Sequence, residues 1–386
     1  MRKKLLYVDN RVKYVLSHRM PWLKGTREAG FDVHVTTLTA GDGSRIEDAG
    51  FPYHSISKQR RSNNPLHELQ LIARLYGLYC QLQPDIIHHI TLRSILYGSI
   101  ANLFLRKPQT VNGVTGLGYL FSSEDPTTRV LRKTVLLALR LLKQRDHVFL
   151  FQNPDDQTLF RRHHIANPSS SVLIKGSGVD PEHFAPRPEP SGSPVVLFPA
   201  RMLWDKGAQA FVDAARRLKA DDVEARFIMV GTTDPDNPAG VSAEQLEKWE
   251  EQGIVEWWGY QDDMSEIFGR SHIVCLPSSY REGVPKVLIE AASSGRPIVT
   301  TDMPGCREIV RDGENGYLVP PRDGEAVARA LKRLIGDSDL RRQMGARGRE
   351  RVQKEFSVEH VVQSIVEVYE NVLGGRSASH CAPHDE

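Results

Sequence analysis

The chain has 386 residues, 40% of them hydrophobic and 25% charged, and its formal net charge is +2 at pH 7. This length predicts two domains, since single hydrophobic cores rarely grow beyond about 250–300 residues. No apolar run approaches the roughly 20 residues that a membrane-spanning helix needs, and the first residues lead into a strand-like segment without a signal-peptide core. The cysteines are scattered, which predicts structural thiols in a reducing cytoplasm; they are Cys80, Cys275, Cys306 and Cys381.

Short apolar runs alternate with helical stretches along the whole chain. The predicted strands are Lys4–Val8, Asp32–Thr37, Asp85–Ile90, Thr110–Val114, His147–Phe151, Val172–Lys175, Val195–Phe198, Ala225–Val230, Val255–Trp258, Ile273–Leu276 and Pro297–Thr300. The clearest helical stretches between them are Leu66–Leu82, Leu131–Gln144, Ala208–Leu218 and Ala326–Leu334. This alternation predicts an α/β fold with two Rossmann-like, doubly wound domains and a ligand in the cleft between them.

Composition also divides the chain into segments. The first domain is expected over residues 1–180, followed by a semi-stiff linker over 181–194 that contains five prolines. The second domain is expected over 195–356. A terminal helix over 357–373 is expected to pack back on the first domain, and the small, polar residues 374–386 are predicted to be a disordered tail.

Charge is distributed unevenly, with an excess of cations in residues 1–190 and an excess of acidic residues after them. A basic first half predicts an anionic partner, and without a nucleic-acid-binding motif a membrane surface or a phosphorylated acceptor is favoured. Residues 128–145 mix six cations with apolar residues. Such a pattern is typical either of a helix that lies on anionic lipid or of a core helix with a solvated cationic face. Lys58, Arg60 and Arg61 add to the first interpretation.

Two cations follow the apolar run Val195–Phe198. Arg201 and Lys206 lie in the loop that leaves this predicted strand, and Gly207 opens the next helix. The carboxyl ends of strands are where open α/β sheets bind ligands. Two cations at this place can neutralise a diphosphate and help it depart.

Two glutamates flank a second loop-to-helix junction, in the segment 278–290. Glu282 comes before the junction and Glu290 lies about six residues inside the helix, roughly 9 Å along its axis. Gly283 permits close backbone approach, and Pro285 suits a first helical turn. Because a helix N-terminus favours phosphate, the acids can hold a sugar at one end of a diphosphate and a ribose at the other. The segment predicts a nucleotide-sugar site.

These motifs occur in a familiar order: the Arg201 to Gly207 loop, Val-Glu-Trp-Trp-Gly at 255–259, the 282–290 segment, Gly295 to Glu308 and Asp312 to Gly316. Together they resemble retaining GT-B glycosyltransferases of glycosyltransferase family 4. Residues 84–93, 112–118 and 152–156 are similar to the subgroup that builds bacterial surface polysaccharides on polyprenyl diphosphate.

The resemblance implies roles for individual residues of the second domain. Glu290 would hold the ribose and Glu282 the donor sugar, while Arg201 and Lys206 would act on the diphosphate. Backbone groups of the donor loop would contact sugar and phosphates, and the end of a strand would face a uracil base; these positions are Gly283, Val284, Pro285 and Lys286 for the loop and Trp258 and Gly259 for the base. The family needs neither a metal nor a cofactor, and retention is thought to proceed by front-face attack.

For the first domain the resemblance implies an acceptor site. His88 is expected as a catalytic residue at the end of a buried strand, and His89 faces the opposite side because successive strand residues alternate. The acceptor side would comprise His89, Thr91, Arg93, Asn112 and Gly116. Residues 9–19 replace the family's glycine-rich loop without a glycine, so His18 or Arg19 is expected there instead.

The resulting hypothesis is an enzyme that moves an N-acetylated hexose, with retention, from UDP to a polyprenyl-diphosphate-linked saccharide. It would serve O-antigen or capsule synthesis as a peripheral protein on the inner face of the cytoplasmic membrane. Three alternatives remain open: a glycosyltransferase with a soluble acceptor, a UDP-N-acetylglucosamine 2-epimerase that shares the fold, and a non-catalytic nucleotide-sugar-binding protein.

Overall fold

The computed structural model describes residues 2–57, 64–105, 108–122, 125–142, 147–235 and 237–375. Two compact units share the chain: Met1–Ser177 together with Val358–Glu386, and Gly178–Ser357. No helix among the described residues is long and apolar enough to cross a membrane.

The first unit contains a seven-stranded parallel sheet in the order β3-β2-β1-β4-β5-β6-β7. Its strands are rich in Val, Ile, Leu and Phe, as expected where a parallel sheet is covered on both faces. The order reverses direction between β1 and β4. The strands are β1 Lys4–Asp9, β2 Asp32–Thr37, β3 Tyr53–Ser55, β4 Ile86–Ile90, β5 Gln109–Val114, β6 His147–Phe151 and β7 Ser171–Leu173.

The helices of this unit connect the strands and cover both faces. They are α1 Val12–Tyr14, α2 Met20–Glu28, α3 Ser44–Asp48, α4 Pro65–Leu82, α5 Leu92–Asn102, α6 Tyr119–Ser122, α7 Pro126–Leu141 and α8 Pro154–Arg162, with a 3₁₀ turn at Pro168–Ser170. The chain returns to this unit with a further helix, Val358–Leu373, whose buried residues include Val361, Ile365 and Tyr369.

Residues 9–19, expected to form a loop, are helical from Val12 onwards. A π-helical segment, Val15–Arg19, joins α1 to α2. Arg19 is buried at its end, with Nε 3.5 Å from Asp9 Oδ2 and the guanidinium 4.2 Å from the Trp22 ring. A helix explains the missing glycine, because no residue of this segment has to adopt a positive φ.

The second unit contains a six-stranded parallel sheet in the order β10-β9-β8-β11-β12-β13, which reverses between β8 and β11. Its strands are β8 Val195–Pro199, β9 Arg226–Val230, β10 Glu256–Trp257, β11 Ile273–Leu276, β12 Ile298–Thr301 and β13 Gly316–Val319. Its helices are α9 Ala208–Ala220, α10 Ala243–Glu251, α11 Met264–Gly269, α12 Lys286–Ser293, α13 Cys306–Ile309, α14 Gly324–Gly336 and α15 Ser338–Glu355, with a 3₁₀ turn at Trp204–Lys206. In chain order the terminal helix Val358–Leu373 is therefore α16.

The proline-rich stretch 181–194, expected to be a linker, packs within the second unit. Phe184 is buried in that unit's core, and Arg296 donates to the carbonyl of Arg187 at 2.9 Å. Glu189 accepts two hydrogen bonds from Arg341, at 2.8 and 2.7 Å. Such tertiary contacts hold the segment in place although its composition is typical of a linker. Of the predicted tail 374–386, only the first two residues lie within the described part of the chain.

Candidate functional site

The loops that follow β8 and β11 meet where the strand order of the second sheet reverses. Ligands of open α/β sheets bind at such a reversal, outside the carboxyl ends of the strands. Gly207 enables the approach of the two loops: its φ is +88°, and a Cβ there would lie 2.1 Å from the carbonyl oxygen of Pro277. Only glycine fits this position without displacing backbone.

Lys206 and Glu282, one from each loop, form the centre of this site. Lys206 Nζ lies 2.5 Å from Glu282 Oε2, and Ser278 Oγ donates to Glu282 Oε1 at 3.1 Å. The two charged side chains are 14% and 17% exposed. The pair is therefore largely desolvated, which strengthens its electrostatic interactions, yet it remains open to a ligand.

The loop that carries Glu282 is held by backbone contacts. Ser279 N donates to the carbonyl of Asp205 at 2.9 Å, and Thr301 Oγ1 donates to the carbonyl of Ser278. Gly305, with φ +86°, lies so close to this loop that an added Cβ would be 1.4 Å from the carbonyl oxygen of Gly283. These contacts position Gly283, Val284 and Pro285 at the start of α12.

Helix α12 begins with Lys286 and carries Glu290 one turn later. Glu290 is 8% exposed, and its Oε1 lies 3.1 Å from Lys286 Nζ. Burial raises the pKa of the Glu290 carboxyl, and the Lys286 ammonium opposes this shift. A buried carboxylate beside a lysine ammonium is suited to accept hydrogen bonds from ligand hydroxyls.

Arg201 and Trp258 follow β8 and β10, the two strands that flank β9 in the sheet. Arg201 Nη1 is 2.8 Å from Asp234 Oδ2, an acid in the loop after β9. Trp258 follows β10; its Nε1 donates to Glu256 at 3.2 Å, and the Arg270 guanidinium lies 4.6 Å from its ring. Gly259 comes next, with φ +64°, and its carbonyl accepts from the backbone N–H of Gly231. The second sheet thus presents polar groups along one edge, after β8, β9, β10 and β11.

His88, the predicted catalytic histidine, lies in the core of the first unit. It is 0% exposed, its Nδ1 is 2.6 Å from the Tyr369 hydroxyl, and its ring stacks on Trp22. Burial and the Arg19 charge lower the pKa of His88 well below its ordinary value. Among the described residues its Nε2 has no hydrogen-bond partner, and it borders a small cavity that Gln152 and Thr115 also line. This burial contradicts the expectation that His88 faces a ligand directly.

His89 and Asn112, predicted on the acceptor side, are also fully buried. His89 Nδ1 is 3.0 Å from Asn112 Oδ1 and its Nε2 is 3.0 Å from the Tyr79 hydroxyl. Asn112 Nδ2 continues this chain to His147 Nδ1 at 3.4 Å. Because each polar group is used inside the fold, the assignment of His89 and Asn112 to an acceptor surface is wrong.

Thr91, Arg93 and Gly116 lie at the carboxyl edge of the first sheet and are partly exposed. Thr91 has a φ of +79°, unusual for a β-branched residue, and its buried Oγ1 has no hydrogen-bond partner within the part of the chain that the structure describes. Arg93 Nη2 makes hydrogen bonds of 3.0 and 2.7 Å to Glu68, which also accepts from Tyr97. These three residues remain candidates for binding an acceptor.

Sequence reasoning missed Asp234 and the supporting role of Gly305. Asp234 follows a strand directly, so the rule that strand ends share one edge could have identified it as a partner for Arg201. For Gly305 the only local signal was a Pro-Gly pair, typical of a turn, and its partner is distant in sequence.

Two doubly wound units of parallel strands define the GT-B class of fold, and comparison with known proteins agrees. Residues 179–351 match the family described as "Glycosyl transferases group 1", and residues 4–153 match "Glycosyl transferase 4-like". These two matches together span most of the chain. The protein therefore belongs to the group 1 glycosyltransferases, in glycosyltransferase family 4.

Individual relatives extend over nearly the whole chain. The N,N'-diacetylbacillosaminyl-diphospho-undecaprenol alpha-1,3-N-acetylgalactosaminyltransferase of Campylobacter jejuni is 25% identical over 92% of this chain and 95% of its own length. The capsular polysaccharide biosynthesis glycosyltransferase CapM of Staphylococcus aureus is 22% identical over 93% and 96%. The structure of Anabaena HepE in complex with UDP-glucose aligns with a TM-score of 0.77 at 20% identity, covering 95% of this chain and 99% of HepE.

Proposed function

We propose that the protein transfers an N-acetylated hexose from a UDP-sugar, with retention of configuration, to a polyprenyl-diphosphate-linked saccharide of a bacterial surface glycan. The observation that carries the proposal is the contact between Lys206 and Glu282 where the strand order of the second sheet reverses. A cation for phosphate and a carboxylate for sugar hydroxyls lie side by side there. That pairing suits a ligand in which a sugar is attached directly to a diphosphate.

In the proposed complex, Glu290 accepts hydrogen bonds from the ribose hydroxyls and Glu282 from hydroxyls of the transferred sugar. Lys206 and Arg201 then stabilise the charge that develops on the UDP diphosphate. The bond between the anomeric carbon and the diphosphate oxygen breaks, and the acceptor hydroxyl forms the new glycosidic bond on the same face. Its proton passes to the departing phosphate oxygen, so the balance requires no protein nucleophile.

The acceptor and the sugar are supported by the relatives' names. The Campylobacter protein is named for an undecaprenol diphosphate acceptor and an N-acetylgalactosaminyl group, and the Staphylococcus protein for capsular polysaccharide. The HepE structure contains UDP-glucose. Because the polyprenyl carrier is a membrane lipid, the proposed place of action is the inner face of the cytoplasmic membrane.

The test is release of UDP from a panel of UDP-sugars, in EDTA, with and without a polyprenyl-diphosphate-saccharide acceptor. Acceptor-dependent release from one donor is the expected result, and the anomeric configuration of the product reports retention. Conversion of the donor into another sugar without an acceptor would instead favour the epimerase. Binding of a UDP-sugar without any turnover would favour the non-catalytic binding protein.

A further inference from the structure

Helix α7 of the first unit presents an apolar surface to solvent. Four of its large aliphatic side chains are more than half exposed: Val130 at 67%, Leu131 at 56%, Leu137 at 55% and Leu141 at 75%. Positions 130, 137 and 141 follow helical spacing and lie along one side of the helix. A helix that serves only the core would turn such residues inward.

The inward side of α7 has its own apolar residues. Leu136 and Leu139 are buried in a core cluster with Phe149 and Phe151, and Val135 packs partly against it. The core of the first unit is therefore filled without the four exposed side chains. The interpretation as a core helix with a solvated cationic face accounts for the buried leucines and the exposed cations, but it does not account for the exposed aliphatic side chains.

Cations accompany the exposed aliphatic side chains. Arg129, Lys133 and Arg140 are exposed on α7, and within the described part of the chain none of the three makes an ion pair. No Asp or Glu occurs between residues 126 and 142. Lys143 and Arg145, which belong to the same sequence pattern, lie outside the described residues, as do Lys58, Arg60 and Arg61.

A basic groove runs beside the exposed leucines. It has a volume of about 210 Å³ and is lined by Lys133 and Arg140 of α7 together with Arg162, His163 and His164 at the end of α8. Leu136 and Leu137 complete its wall. An anionic group can bind among these side chains while Leu137 and Leu141 remain free to enter an apolar phase.

We infer that the exposed side of α7 is a docking surface for an anionic phospholipid membrane, and that the Lys133–Arg140 groove takes a lipid headgroup phosphate. Apolar side chains that extend from a cationic helix face are suited to the boundary between headgroups and acyl chains. Neither a soluble anion nor a neutral bilayer satisfies both features. The inference extends the proposed function, because a lipid-linked acceptor would place the enzyme at a membrane.

Helix α7 runs from the carboxyl edge of the first sheet to its amino edge, because it joins β5 to its parallel neighbour β6. The helix begins after β5, at the carboxyl edge of the first sheet, where Thr91 and Arg93 also lie. Leu66 and Leu69, in the first turns of α4, are 67% and 63% exposed at the same edge, because α4 begins after the carboxyl end of β3. The first turns of α7, with Val130 and Leu131, therefore lie nearest the edge at which a lipid-linked acceptor is expected, whereas Leu137 and Leu141 lie nearer the amino edge of the sheet.

The test is co-sedimentation of the full chain with vesicles of phosphatidylcholine alone or mixed with phosphatidylglycerol, at low and high salt. We expect binding to the anionic vesicles that weakens with salt, and little binding to phosphatidylcholine. The double variant Lys133→Gln/Arg140→Gln should weaken binding about thirtyfold, given roughly one kcal/mol per basic residue at an anionic surface. Leu137→Gln/Leu141→Gln should weaken it about tenfold or more, because it removes apolar side chains that would contact the acyl chains.

Two matched control variants distinguish binding through this surface from nonspecific adsorption of the protein to vesicles. Leu103→Gln/Phe104→Gln removes comparable exposed apolar surface at the end of α5, and Arg216→Gln/Arg347→Gln removes two exposed cations from the second unit. Both controls should bind vesicles as the wild type does. The inference would be overturned if the control variants lost as much vesicle binding as the test variants, or if the wild-type protein did not bind anionic vesicles.

Further readouts distinguish this inference from the proposed function and from a different occupant. Lys206→Ala should bind vesicles normally, and Leu137→Gln/Leu141→Gln should release UDP normally with a short-chain acceptor in detergent-free solution. If the UDP-release assay contradicts the proposed function, the vesicle-binding result still tests the docking surface independently. A dimer that Leu137→Gln/Leu141→Gln dissociates, without binding to vesicles, would assign the surface to a second copy of the chain and overturn the lipid proposal.

Discussion

The two sheets both carry polar residues near the carboxyl ends of their strands, but the two sets have different surroundings. In the second unit, Lys206 and Glu282 come after their strands, in loops, and remain partly exposed. In the first unit, His88 and His89 lie within β4, which pairs with β1 on one side and β5 on the other. Side chains inside a central strand point into the layers that cover the sheet, whereas those beyond its end can reach a ligand.

The consequence is a division of roles that mutation can test. Substitutions in the loops that follow the strands of the second sheet should lower turnover with little change in stability. The buried polar residues of the first unit should affect stability with little change in turnover.

The largest effect is expected from Lys206→Ala. Loss of a cation that stabilises the leaving diphosphate should lower kcat about 10²- to 10³-fold, the range found when one electrostatic contact to a transition state is removed. Steady-state UDP release with saturating donor measures this. Lys332→Ala, which removes an exposed lysine from the same unit, should retain wild-type kcat. Equal turnover in Lys206→Ala and the wild type would refute the site.

Asn112→Ala tests the other side of the comparison. It leaves the ring nitrogens of His89 and His147 without their buried partner, so the free energy of unfolding should fall by about 2 kcal/mol. Denaturant titration measures this loss, and Ser364→Ala, on an exposed part of α16, serves as a control. At temperatures where the variant stays folded, kcat should change less than about twofold. A loss of kcat at full stability would return Asn112 to the active site.

Glu290→Ala should act on donor binding. Loss of the ribose contact should raise the donor KM and lower kcat/KM by roughly tenfold, the equivalent of about 1.4 kcal/mol. Kinetics with varied donor concentration measure the change, and Glu290→Gln separates the charge from the hydrogen-bonding geometry. A variant with unchanged kcat/KM would contradict the ribose assignment.

Acidification should produce an effect of comparable size through the buried histidines. Burial lowers the pKa of His89 to about 3 and that of His147 to about 4, from an ordinary value of 6.5. Unfolding lets both bind protons, so their stability contribution is complete above pH 6.5 and is lost as the pH falls toward the folded values. Between pH 7 and pH 6 the two together should lower the free energy of unfolding by about 1.4 kcal/mol.

Denaturant titrations across this pH range test the prediction. His147→Asn should give a shallower pH dependence of the free energy of unfolding than the wild type, because one of the histidines with a lowered pKa is removed. Identical slopes would mean that other groups dominate the acid response.

Much of the architecture could be predicted from local patterns. The strands Asp32–Thr37, His147–Phe151 and Ile273–Leu276 have the predicted bounds, because buried parallel strands are short apolar runs between turn residues. Two strands, Tyr53–Ser55 and Gly316–Val319, were not predicted. Helix α15 was also missed; most of its residues are polar, so it lacks the apolar stripe that marks an amphipathic helix.

The loops of the candidate donor site could also be predicted from the sequence. Residues that follow a strand directly are placed by the sheet itself, so the loops containing Lys206 and Glu282 could be assigned to one edge before their contact was known. The same rule places Asp234, which follows β9, at the edge that carries Arg201. The fit of Gly305 against Gly283 could not be predicted in this way, because it joins two separate segments of the chain through their backbone.

The sequence by itself determined the alternation of strands and helices, the two α/β sheets and the residues that leave the strands at the donor edge. These depend on local periodicity and on chain direction, which act over a few residues. Tertiary structure alone decided that His88, His89 and Asn112 are buried, that residues 181–194 pack against a core, and that four aliphatic side chains of α7 face solvent. Burial depends on which surfaces the neighbouring layers cover, and a single segment does not specify its neighbours.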